Sequence, residues 1–358
     1  MGALANQPFL DAARGAGFSA AAVCAARPSA RRAQLEAWLA AGRAGQMNWI
    51  AETLELRLNP QRLLRGVRSI ICLAQRYHDG TPDASPADPQ RGRVARYARG
   101  LDYHNRNKKR LRRLNRRFAA AHPDGRFRCC CDIEPIMERE HAERAGLGRV
   151  GKNTLLIVPG QGSWVLLSEI LTTLEIEPTL PTLPPDPCGT CTRCIDACPT
   201  GAITPWNVDA TRCTSYVTIE HRGEVSAAQS SGGGDWLIGC DICQEVCPHC
   251  QPTRRSLSAG RHQEFDGRNS SFDLLAVLGW SAEQRAEAFA RTALKRVDLD
   301  TVRRSAAICV GESLQSRQPS PLRDALLERV RQVAVDQSES PGVRQSAVRV
   351  LERLAAEP

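Results

Sequence analysis

Two groups of cysteines carry the clearest chemical signal in the chain. The first reads Cys188-Gly-Thr-Cys191-Thr-Arg-Cys194-Ile-Asp-Ala-Cys198-Pro199, the second reads Cys240-Asp-Ile-Cys243-Gln-Glu-Val-Cys247-Pro248, and Cys213 lies between them. In the spacing C-x2-C-x2-C-x3-C-P, three thiolates wrap one cubane and the fourth ligates another cluster. Applied to these cysteines, this crossover predicts two [4Fe–4S] clusters. One is bound by Cys188, Cys191, Cys194 and Cys247, and the other by Cys198, Cys213, Cys240 and Cys243.

Zinc and disulfides fit the cysteine pattern less well than clusters do. A structural zinc site usually takes two pairs of ligands, which a triplet followed by Cys-Pro does not supply. Disulfides form in oxidising compartments, and nothing in the chain indicates one. The spacing is that of two-cluster ferredoxins. It predicts the clusters but not the function, because ferredoxin modules serve many enzymes.

Length and charge limit the remaining possibilities. A chain of 358 residues predicts two or three domains, and a hydrophobic content of 42% is enough for packed cores. The formal charge of +9 favours a polyanionic partner. No apolar run approaches the ~20 residues of a membrane helix, and the first residues lack a secretory pattern. We therefore expect a cytoplasmic protein without membrane contact.

The most basic segment, 103–123, predicts an amphipathic helix. Leu111, Leu114 and Phe118 recur at helical spacing, and no acidic residue interrupts the segment. A solvated charged face is the simplest explanation of such a helix. However, the segment has eight cations and no acidic residue, so its side chains cannot form i,i+4 ion pairs with each other. This favours contact of the cations with phosphates. These cations are Arg106, Lys108, Lys109, Arg110, Arg112, Arg113, Arg116 and Arg117.

Asp132 lies between a predicted strand and a predicted helix. The strand ends in Cys129 to Cys131, and the helix has Pro135 in its first turn. The role that this position indicates for Asp132 is to cap that helix. The three cysteines alternate between the faces of a strand, so they cannot all bind one metal, and we expect them in the core.

The rest of the chain suggests an α+β fold of three domains. The apolar run 69–74 predicts a buried strand, and glycine-rich loops occur around Gly148 and Gly162. The proline-rich stretch 177–187 predicts a linker. Val302-Arg-Arg-Ser-Ala recurs as Val343-Arg-Gln-Ser-Ala after 41 residues, which matches HEAT-type helical repeats. The predicted domains are 1–177, 178–255 (the ferredoxin-like domain with both clusters) and 256–358.

Several segments together resemble the epoxyqueuosine reductase family over nearly the whole chain. Jointly they are far more specific than the cysteine motif alone. They are Arg57-Leu-Asn-Pro60, Arg96-Tyr-Ala-Arg-Gly-Leu-Asp-Tyr-His104, Asp132-x-x-Pro135-x-x-Glu138-Arg139, Ala145-Gly-Leu-Gly148, Gly151-Lys-Asn-Thr154, Gly162-Ser-Trp164, Cys188-Gly-Thr-Cys191-Thr-Arg-Cys194 and Gly239-Cys-Asp-Ile-Cys-Gln244.

The resemblance implies a cytoplasmic, monomeric enzyme with an N-terminal cobalamin-binding α/β domain. This domain would be similar to those of reductive dehalogenases and flavin nitroreductases. The implied reaction is the last step of queuosine synthesis, in which the epoxide of epoxyqueuosine in a tRNA anticodon is reduced to the alkene with loss of water. The implied partners are the anticodon stem-loop and a low-potential electron donor that the sequence does not identify.

The resemblance also implies roles for individual residues. Asp132 matches the family's proton donor, for which its pKa must rise above the usual ~3.9, and burial against the corrin would favour this. The candidate cobalamin contacts are Arg57, Tyr97, Asp132, Asn153, Thr154, Ser163 and Ser215. The candidate tRNA contacts are Lys108, Lys109, Arg112, Arg113, Arg116, Arg303 and Arg344, of which the last two often hold repeat helices together in such folds.

Two alternatives and two departures remain. A cobalamin-dependent reductive dehalogenase usually carries an export leader, and a ferredoxin-type electron carrier needs neither a basic helix nor helical repeats. The usual D-x-H-x-x-G cobalamin signature is absent. Cys129 to Cys131 and Cys250 lie outside the family pattern, and Cys250 competes with Cys247 for the role of ligand. We favour Cys247 because its proline repeats that of Cys198-Pro199.

Overall fold

A four-stranded antiparallel sheet in the N-terminal half positions the candidate site. The structure, a computed structural model, describes residues 2–83, 88–180, 186–258, 263–265, 267, 269–315 and 320–356. Residues 181–185 of the predicted linker lie outside the described residues. Among the described helices, none combines the length and apolarity that a membrane crossing requires.

Seven strands and seven α-helices occur among the described residues of the N-terminal half. The strands are β1 (Ala20–Ala25), β2 (Ser69–Arg76), β3 (Arg91–Val94), β4 (Phe127–Cys130), β5 (Arg149–Val150), β6 (Leu156–Ile157) and β7 (Val165–Thr172). The helices are α1 (Gln7–Gly15), α2 (Arg32–Ala40), α3 (Trp49–Glu52), α4 (Leu54–Leu58), α5 (Pro60–Leu63), α6 (Tyr103–Ala121) and α7 (Glu138–Arg144). The main sheet has the order β1-β2-β7-β4.

Strand β2 is buried on both faces, as its continuous apolar run predicts. Ile71 and Leu73 point into a core formed with α1 and α6, whose contributions include Leu111 and Phe118. Alternate residues of β2, including Cys72, point into a second core formed with α7. The sheet is therefore the middle of three layers, and α6 is docked by its narrow apolar stripe. The prediction of an amphipathic helix is confirmed.

The cysteines before Asp132 lie in edge strand β4 and its end. Cys131 belongs to the core on the α6 side, and Cys130 belongs to the core on the α7 side. Burial raises the pKa of Cys131 to about 12. These cysteines therefore act as small core residues on opposite faces of the strand, as predicted.

The cluster segment and the C-terminal segment are built from short elements followed by longer helices. In the cluster segment they are α8 (Arg193–Asp196), β8 (Ile203–Thr204), β9 (Asn207–Val208), α9 (Thr214–Ile219), β10 (Trp236–Ile238) and α10 (Ile242–Glu245). After it come α11 (Arg254–Ser258), β11 (Ser271–Asp273), α12 (Leu274–Leu278), α13 (Ala282–Ala288), α14 (Leu299–Ser313), α15 (Pro321–Val335) and α16 (Pro341–Ala356). Short 3-10 turns include Arg96–Ala98, Pro248–Cys250 and Ala293–Arg296.

A three-stranded sheet joins all three predicted domains. Strand β3 pairs in parallel with β10 of the cluster segment and antiparallel with β11 of the C-terminal segment. One core contains Val94 of β3, Leu237 of β10 and the inner faces of α12, α14 and α16. Because hydrogen bonds and apolar packing both cross the predicted boundaries, the three segments are held together as one body.

The 41-residue repeat corresponds to two equivalent helices. Val302, Ser305 and Ala306 are fully buried in α14, and Val343, Ser346 and Ala347 are fully buried in α16. The two helices pack against each other, so equal positions of the repeat cover a shared core.

Arg304 anchors α14 on the cluster segment. Its side chain is fully buried, and its guanidinium donates to the carbonyl oxygens of His221 at 3.1 Å and Gly223 at 2.8 Å, and also to that of Val217. Burial lowers the pKa of Arg304 to about 10. The charge remains on the guanidinium at neutral pH, and the carbonyl groups satisfy it.

Arg304→Ala should destabilise the protein by about 3 kcal/mol, because it leaves several buried carbonyl groups without donors. The matched control is Arg331→Ala, which removes a 61% exposed arginine from α15 and should change the stability by about 0.5 kcal/mol or less. Paired anaerobic thermal scans measure the difference. Equal melting temperatures for both variants would contradict the anchoring role.

Candidate active site and cluster centres

The folded chain brings each predicted group of cluster ligands together. Burial raises the pKa of Cys194, and the neighbouring thiols of Cys188 and Cys247 raise it further. In the second group, burial raises the pKa of Cys240 to about 12, with added effects from Cys213 and Cys198. A cluster binds thiolates and not thiols. Cluster binding therefore has to deprotonate these cysteines in spite of their high pKa in the protein alone.

Each predicted group supplies the four thiols that a four-iron cluster takes. A cubane binds its thiolates at separate corners, farther apart than the ligands of a single ion. Within the described residues, no three histidine, cysteine or carboxylate side chains lie close enough to hold one metal ion.

The loop Gly151–Thr154 joins the N-terminal sheet to both thiol groups. The backbone N–H of Lys152 donates to Cys188 Sγ at 3.4 Å, and its ammonium donates to the carbonyl oxygens of Gly189 at 2.6 Å and Cys191 at 3.1 Å. The next residue, Asn153, donates through Nδ2 to the carbonyl oxygen of Cys243 at 3.4 Å. This loop therefore fixes the distance between the cluster segment and the N-terminal half.

The first turn of α6 forms the centre of the candidate active site. Asp102 is the N-cap and accepts from the backbone N–H of His104 at 3.0 Å. The same carboxylate lies 2.7 Å from His104 Nδ1. Because this bond orients the imidazole ring, His104 Nε2 points away from the helix toward Asp132, which lies 2.7 Å away.

Asp132 is held by three groups and is still exposed. Tyr103 donates through its hydroxyl to Asp132 Oδ2 at 2.9 Å, and Arg296 lies 3.5 Å from the same oxygen. The Asp132 side chain is 43% exposed. Its backbone is left-handed, with φ 61°, and its N–H donates to Glu138 Oε1 at 3.1 Å. The carboxylate is thus positioned and open on one side.

The capping interpretation of Asp132 is wrong. Asp132 does not cap a helix, because α7 begins at Glu138 and Pro135 keeps the preceding residue out of helical geometry. In the protein alone, the pKa of Asp132 is lowered. Desolvation raises this pKa, but the hydrogen bonds from His104 and Tyr103 and the charge of Arg296 outweigh it.

The C-terminal segment contributes cations that the sequence analysis missed. Lys295 lies 2.6 Å from Asp102, and Arg296 faces Asp132, so one 3-10 turn contacts both carboxylates. The N–H of Asp102 donates to the carbonyl oxygen of Arg291 at 2.8 Å. Only the Asp-Tyr-His sequence at the start of a helix hinted at this arrangement. Lys295 and Arg296 had no signal, since their partners lie 193 and 164 residues away in the chain.

Left-handed backbone conformations concentrate around this site. Asp132, Thr154 and Arg291 have φ values of 61°, 66° and 64°. Such conformations are strained in residues other than glycine and persist where surrounding contacts impose them. A hydrogen bond holds the backbone of each of these residues. For Thr154, the donor to its carbonyl oxygen is Arg139 Nη1 at 2.6 Å.

The other candidate cobalamin contacts occupy different surroundings. Arg57 is partly buried within electrostatic reach of Asp132. Tyr97 packs edge-on against Tyr103 at 6.0 Å and lies beside Gly239, next to the second thiol group. Ser215 follows Cys213 by two residues in the first turn of α9. Ser163 is buried, and its hydroxyl is engaged by Gln244 and Cys250.

The candidate tRNA contacts also separate into two kinds. Lys109, Arg112, Arg113 and Arg116 are exposed on α6, and Lys108 is partly exposed. None of these five forms an ion pair with a described residue, whereas Arg106 and Arg110 both pair with Glu264. Arg303 pairs with Glu339 and donates to the Leu278 carbonyl oxygen, so it holds helices together. Arg344 contacts Gln337.

Comparison with known proteins decides the family. Residues 57–133 match the family model for epoxyqueuosine reductase QueG, DUF1730, and residues 187–250 match the 4Fe-4S double cluster binding domain. An epoxyqueuosine reductase from Gloeobacter violaceus is 41% identical over 78% of this chain and 87% of its own length. The chain belongs to the epoxyqueuosine reductase family. Membership favours the tRNA-modifying reductase over the dehalogenase and the electron carrier.

Solved structures of epoxyqueuosine reductases share the fold. The enzyme from Streptococcus thermophilus aligns with a TM-score of 0.83 at 26% identity, over 99% of this chain and 91% of the other. A structure with a tRNA-Tyr epoxyqueuosine-modified tRNA stem loop aligns with a TM-score of 0.80 at 25% identity, over 98% and 99% of the two chains. The α+β fold with a double-cluster domain is therefore that of epoxyqueuosine reductases.

Glu138 adds a protonated carboxyl group beside Asp132. Desolvation, followed by the charges of Glu169 and Asp132, raises the pKa of Glu138 to about 8. The folded protein therefore binds a proton here between the ordinary glutamate pKa, ~4.3, and pH 8, where the unfolded chain does not. Stability is present in full below this window and declines as the pH rises through it.

Glu138→Gln should remove this loss of stability at high pH, because glutamine stays neutral and its carbonyl oxygen still accepts a hydrogen bond from the Asp132 N–H. The variant and the unmodified protein should melt alike near pH 5, and the variant should melt at the higher temperature near pH 8.5. Anaerobic thermal scans at both pH values measure the difference. The same offset at both values would show that Glu138 is ionised throughout.

Proposed function

We propose that this protein reduces the epoxide of epoxyqueuosine at the wobble position of a tRNA anticodon to give queuosine. The overall change is epoxide plus two electrons plus two protons to alkene plus water. The observation that supports it most directly is the exposed Asp132 carboxylate, held by Tyr103 and His104 next to a double-cluster segment in a member of this family.

The cysteines supply the route for single electrons. We propose that one [4Fe–4S] cluster is held by Cys188, Cys191, Cys194 and Cys247, and the other by Cys198, Cys213, Cys240 and Cys243. Tyr97 connects the second thiol group to the active site, since it lies beside both Gly239 and Tyr103. The donor of the electrons is a low-potential carrier that neither the sequence nor the fold identifies.

We further propose that cobalamin binds next to Asp132. Cobalamin is a large flat group with amides along its edge. Its site therefore needs an open surface that offers both apolar and hydrogen-bonding side chains. The chain offers Ile133, which is 51% exposed and follows Asp132 in the sequence, and the guanidinium of Arg57, which lies within electrostatic reach of that carboxylate. Tyr97, Asn153, Thr154, Ser163 and Ser215 are the further proposed contacts. When bound and reduced, cobalamin supplies a cobalt nucleophile for carbon.

The protein's own part in the reaction is to deliver protons. Asp132 gives a proton to the oxygen derived from the epoxide, and His104 replaces it through the 2.7 Å contact. Asp102 keeps the imidazole oriented, and Lys295 balances the Asp102 charge. Since the pKa of Asp132 is lowered in the protein alone, bound cofactor and substrate have to shield it from water and Arg296 for the acid form to persist.

The exposed cations of α6 suit the substrate. Lys108 to Arg116 follow His104 by four to twelve residues, which is roughly 6–18 Å along the helix axis. If the modified base of an anticodon loop turns out of the loop and enters the site, the neighbouring phosphates lie along this helix. The proposed contacts are Lys108, Lys109, Arg112, Arg113 and Arg116. Arg303 and Arg344, which contact other repeat residues, contribute less.

The resemblance supports the remaining assignments. We propose that the protein acts as a cytoplasmic monomer, and that its C-terminal helices are HEAT-like repeats that dock on the cluster segment. The three segments are 1–177 for cobalamin and catalysis, 178–255 for the clusters and 256–358 for the repeats, with β3, β10 and β11 joining them.

Asp132→Asn should lower turnover by roughly 10²-fold or more, the usual scale for loss of a general acid. Asparagine tolerates left-handed backbone well, so the loop should keep its shape. Single-turnover conversion of epoxyqueuosine-containing tRNA, followed by mass analysis, gives the rate. Asp124→Asn, at an exposed site after α6, is the control. Normal turnover by the Asp132 variant would exclude it as the acid.

Reversing the charges of Lys109 and Arg112 by substitution with Glu should weaken tRNA binding by about tenfold or more. The slope of the logarithm of the binding constant against the logarithm of the salt concentration should become shallower by roughly 0.7–0.9 for each phosphate that is no longer neutralised. The new glutamates can pair with Arg113 and Arg116, so the helix should remain stable. Arg68→Glu with Arg331→Glu is the control of equal net charge, at exposed sites on other elements. Identical salt titrations for both pairs would show that this helix face is merely solvated.

A further inference from the structure

One turn of the C-terminal segment presents three cations beside the candidate active site. The 3-10 turn Ala293–Arg296 is anchored by the buried side chains of Ala293 and Leu294. The Thr292 hydroxyl caps it by accepting the Leu294 N–H at 3.2 Å. The backbone of the turn is therefore fixed, while its cations face solvent. The exposed cations are Arg291, Lys295 and Arg296.

These cations outnumber the carboxylates that they face. Lys295 pairs with Asp102 at 2.6 Å, and Arg296 lies 3.5 Å from Asp132. Arg291 forms no ion pair with a described residue, and its carbonyl oxygen accepts the Asp102 N–H at 2.8 Å. Three cations beside two carboxylates leave a surplus of positive charge at the edge of the site, which suits one more anion.

Asp132 does not need Arg296 to stay in place. Tyr103 and His104 hold the Asp132 carboxylate at 2.9 Å and 2.7 Å, the distances of charge-assisted hydrogen bonds. The Arg296 contact is longer, at 3.5 Å, and the Arg296 side chain is 46% exposed. Within the described part of the chain, Asp132 is the only carboxylate that pairs with Arg296. Arg296 is therefore free to pair with another anion without releasing the loop that carries Asp132.

We infer that Arg296 leaves Asp132 and pairs with a phosphodiester of the anticodon loop when tRNA binds. A guanidinium matches phosphate oxygens with two parallel N–H donors, and this geometry is stronger than a single long contact with a carboxylate. Because the Arg296 side chain is half exposed on a fixed turn, the exchange needs rotation of the side chain alone. The inference rests on the proposed function, since it assigns one part of the tRNA to this turn.

The exchange links substrate binding to the acidity of Asp132. In the protein alone, the charge of Arg296 is one of the causes that keep the pKa of Asp132 below its usual range. A phosphate neutralises that charge, so the acid form of Asp132 becomes accessible in the complex. Other titratable or charged groups lie within electrostatic or hydrogen-bonding reach of Asp132. They are Arg57, Tyr97, Tyr103, His104, Glu138 and Glu220.

A double-mutant cycle on tRNA binding tests whether the ion pair breaks. The four proteins are the unaltered chain, Arg296→Gln, Asp132→Asn and the double variant, each reconstituted with clusters and cobalamin under anaerobic conditions. The ligand is an anticodon stem-loop without the epoxide, so that no reduction takes place. If binding breaks the pair, Asp132→Asn should tighten binding more when Arg296 is present than when it is Gln. The expected difference is about two- to fivefold, the scale of a half-exposed ion pair.

The single variants report on the phosphate contact itself. Arg296→Gln should weaken binding about threefold or more and make the salt slope shallower by roughly 0.7–0.9, because one phosphate is no longer neutralised. Arg296→Lys keeps the charge and should recover most of the affinity. The control is Arg331→Gln, which removes an equal charge from an exposed site on α15 and should change neither quantity.

The contrary outcomes are distinct. Equal effects of Asp132→Asn with and without Arg296 would show that the pair survives in the complex, and unchanged affinity and salt slope in Arg296→Gln would show that no phosphate reaches it. Either result overturns the inference. Binding as expected in a protein that does not convert epoxyqueuosine-containing tRNA would refute the proposed reaction alone, and no binding by the unaltered chain would refute the substrate as well.

Discussion

The active site depends on the hydrogen-bonded chain from Lys295 through Asp102 and His104 to Asp132. Each inner member has a partner on both sides, so the imidazole ring cannot turn without breaking a charge-assisted contact. The chain starts at a helix N-cap, where the dipole of α6 also favours negative charge. This explains how a carboxylate with left-handed backbone stays both exposed and fixed in position.

The members of this hydrogen-bonded chain come from different segments of the sequence. Asp132 follows the edge strand of the N-terminal sheet, His104 begins the basic helix, and Lys295 comes from the C-terminal segment. The same integration appears in the sheet of β3, β10 and β11, in the three carbonyl groups that Arg304 satisfies, and in the Lys152 loop against Cys188. The candidate active site and the two thiol groups are therefore positioned by shared contacts between the segments.

Helix α6 both packs on the sheet and contributes to the candidate site. Its apolar stripe holds it on the sheet, its first turn orients Asp132, and its exposed cations extend from the site along the outer face. Glu264 neutralises Arg106 and Arg110, so the charge available to a ligand begins with Lys108 and Lys109. The exposed cations and His104, which contacts Asp132, thus lie on one rigid element.

Features that depend on local spacing could be predicted from the sequence. The cysteine pattern predicted two groups of ligands, the two-sided apolar run predicted β2, and the stripe of Leu111, Leu114 and Phe118 predicted the docking of α6. The family segments pointed to Asp132. The surroundings of Asp132 came from the folded structure: the left-handed backbone, the lowered pKa, the contacts of His104 and Arg296, and the Lys295 contact with Asp102. A pKa depends on charges in space, and these come from residues distant in the chain, so no local pattern encodes them.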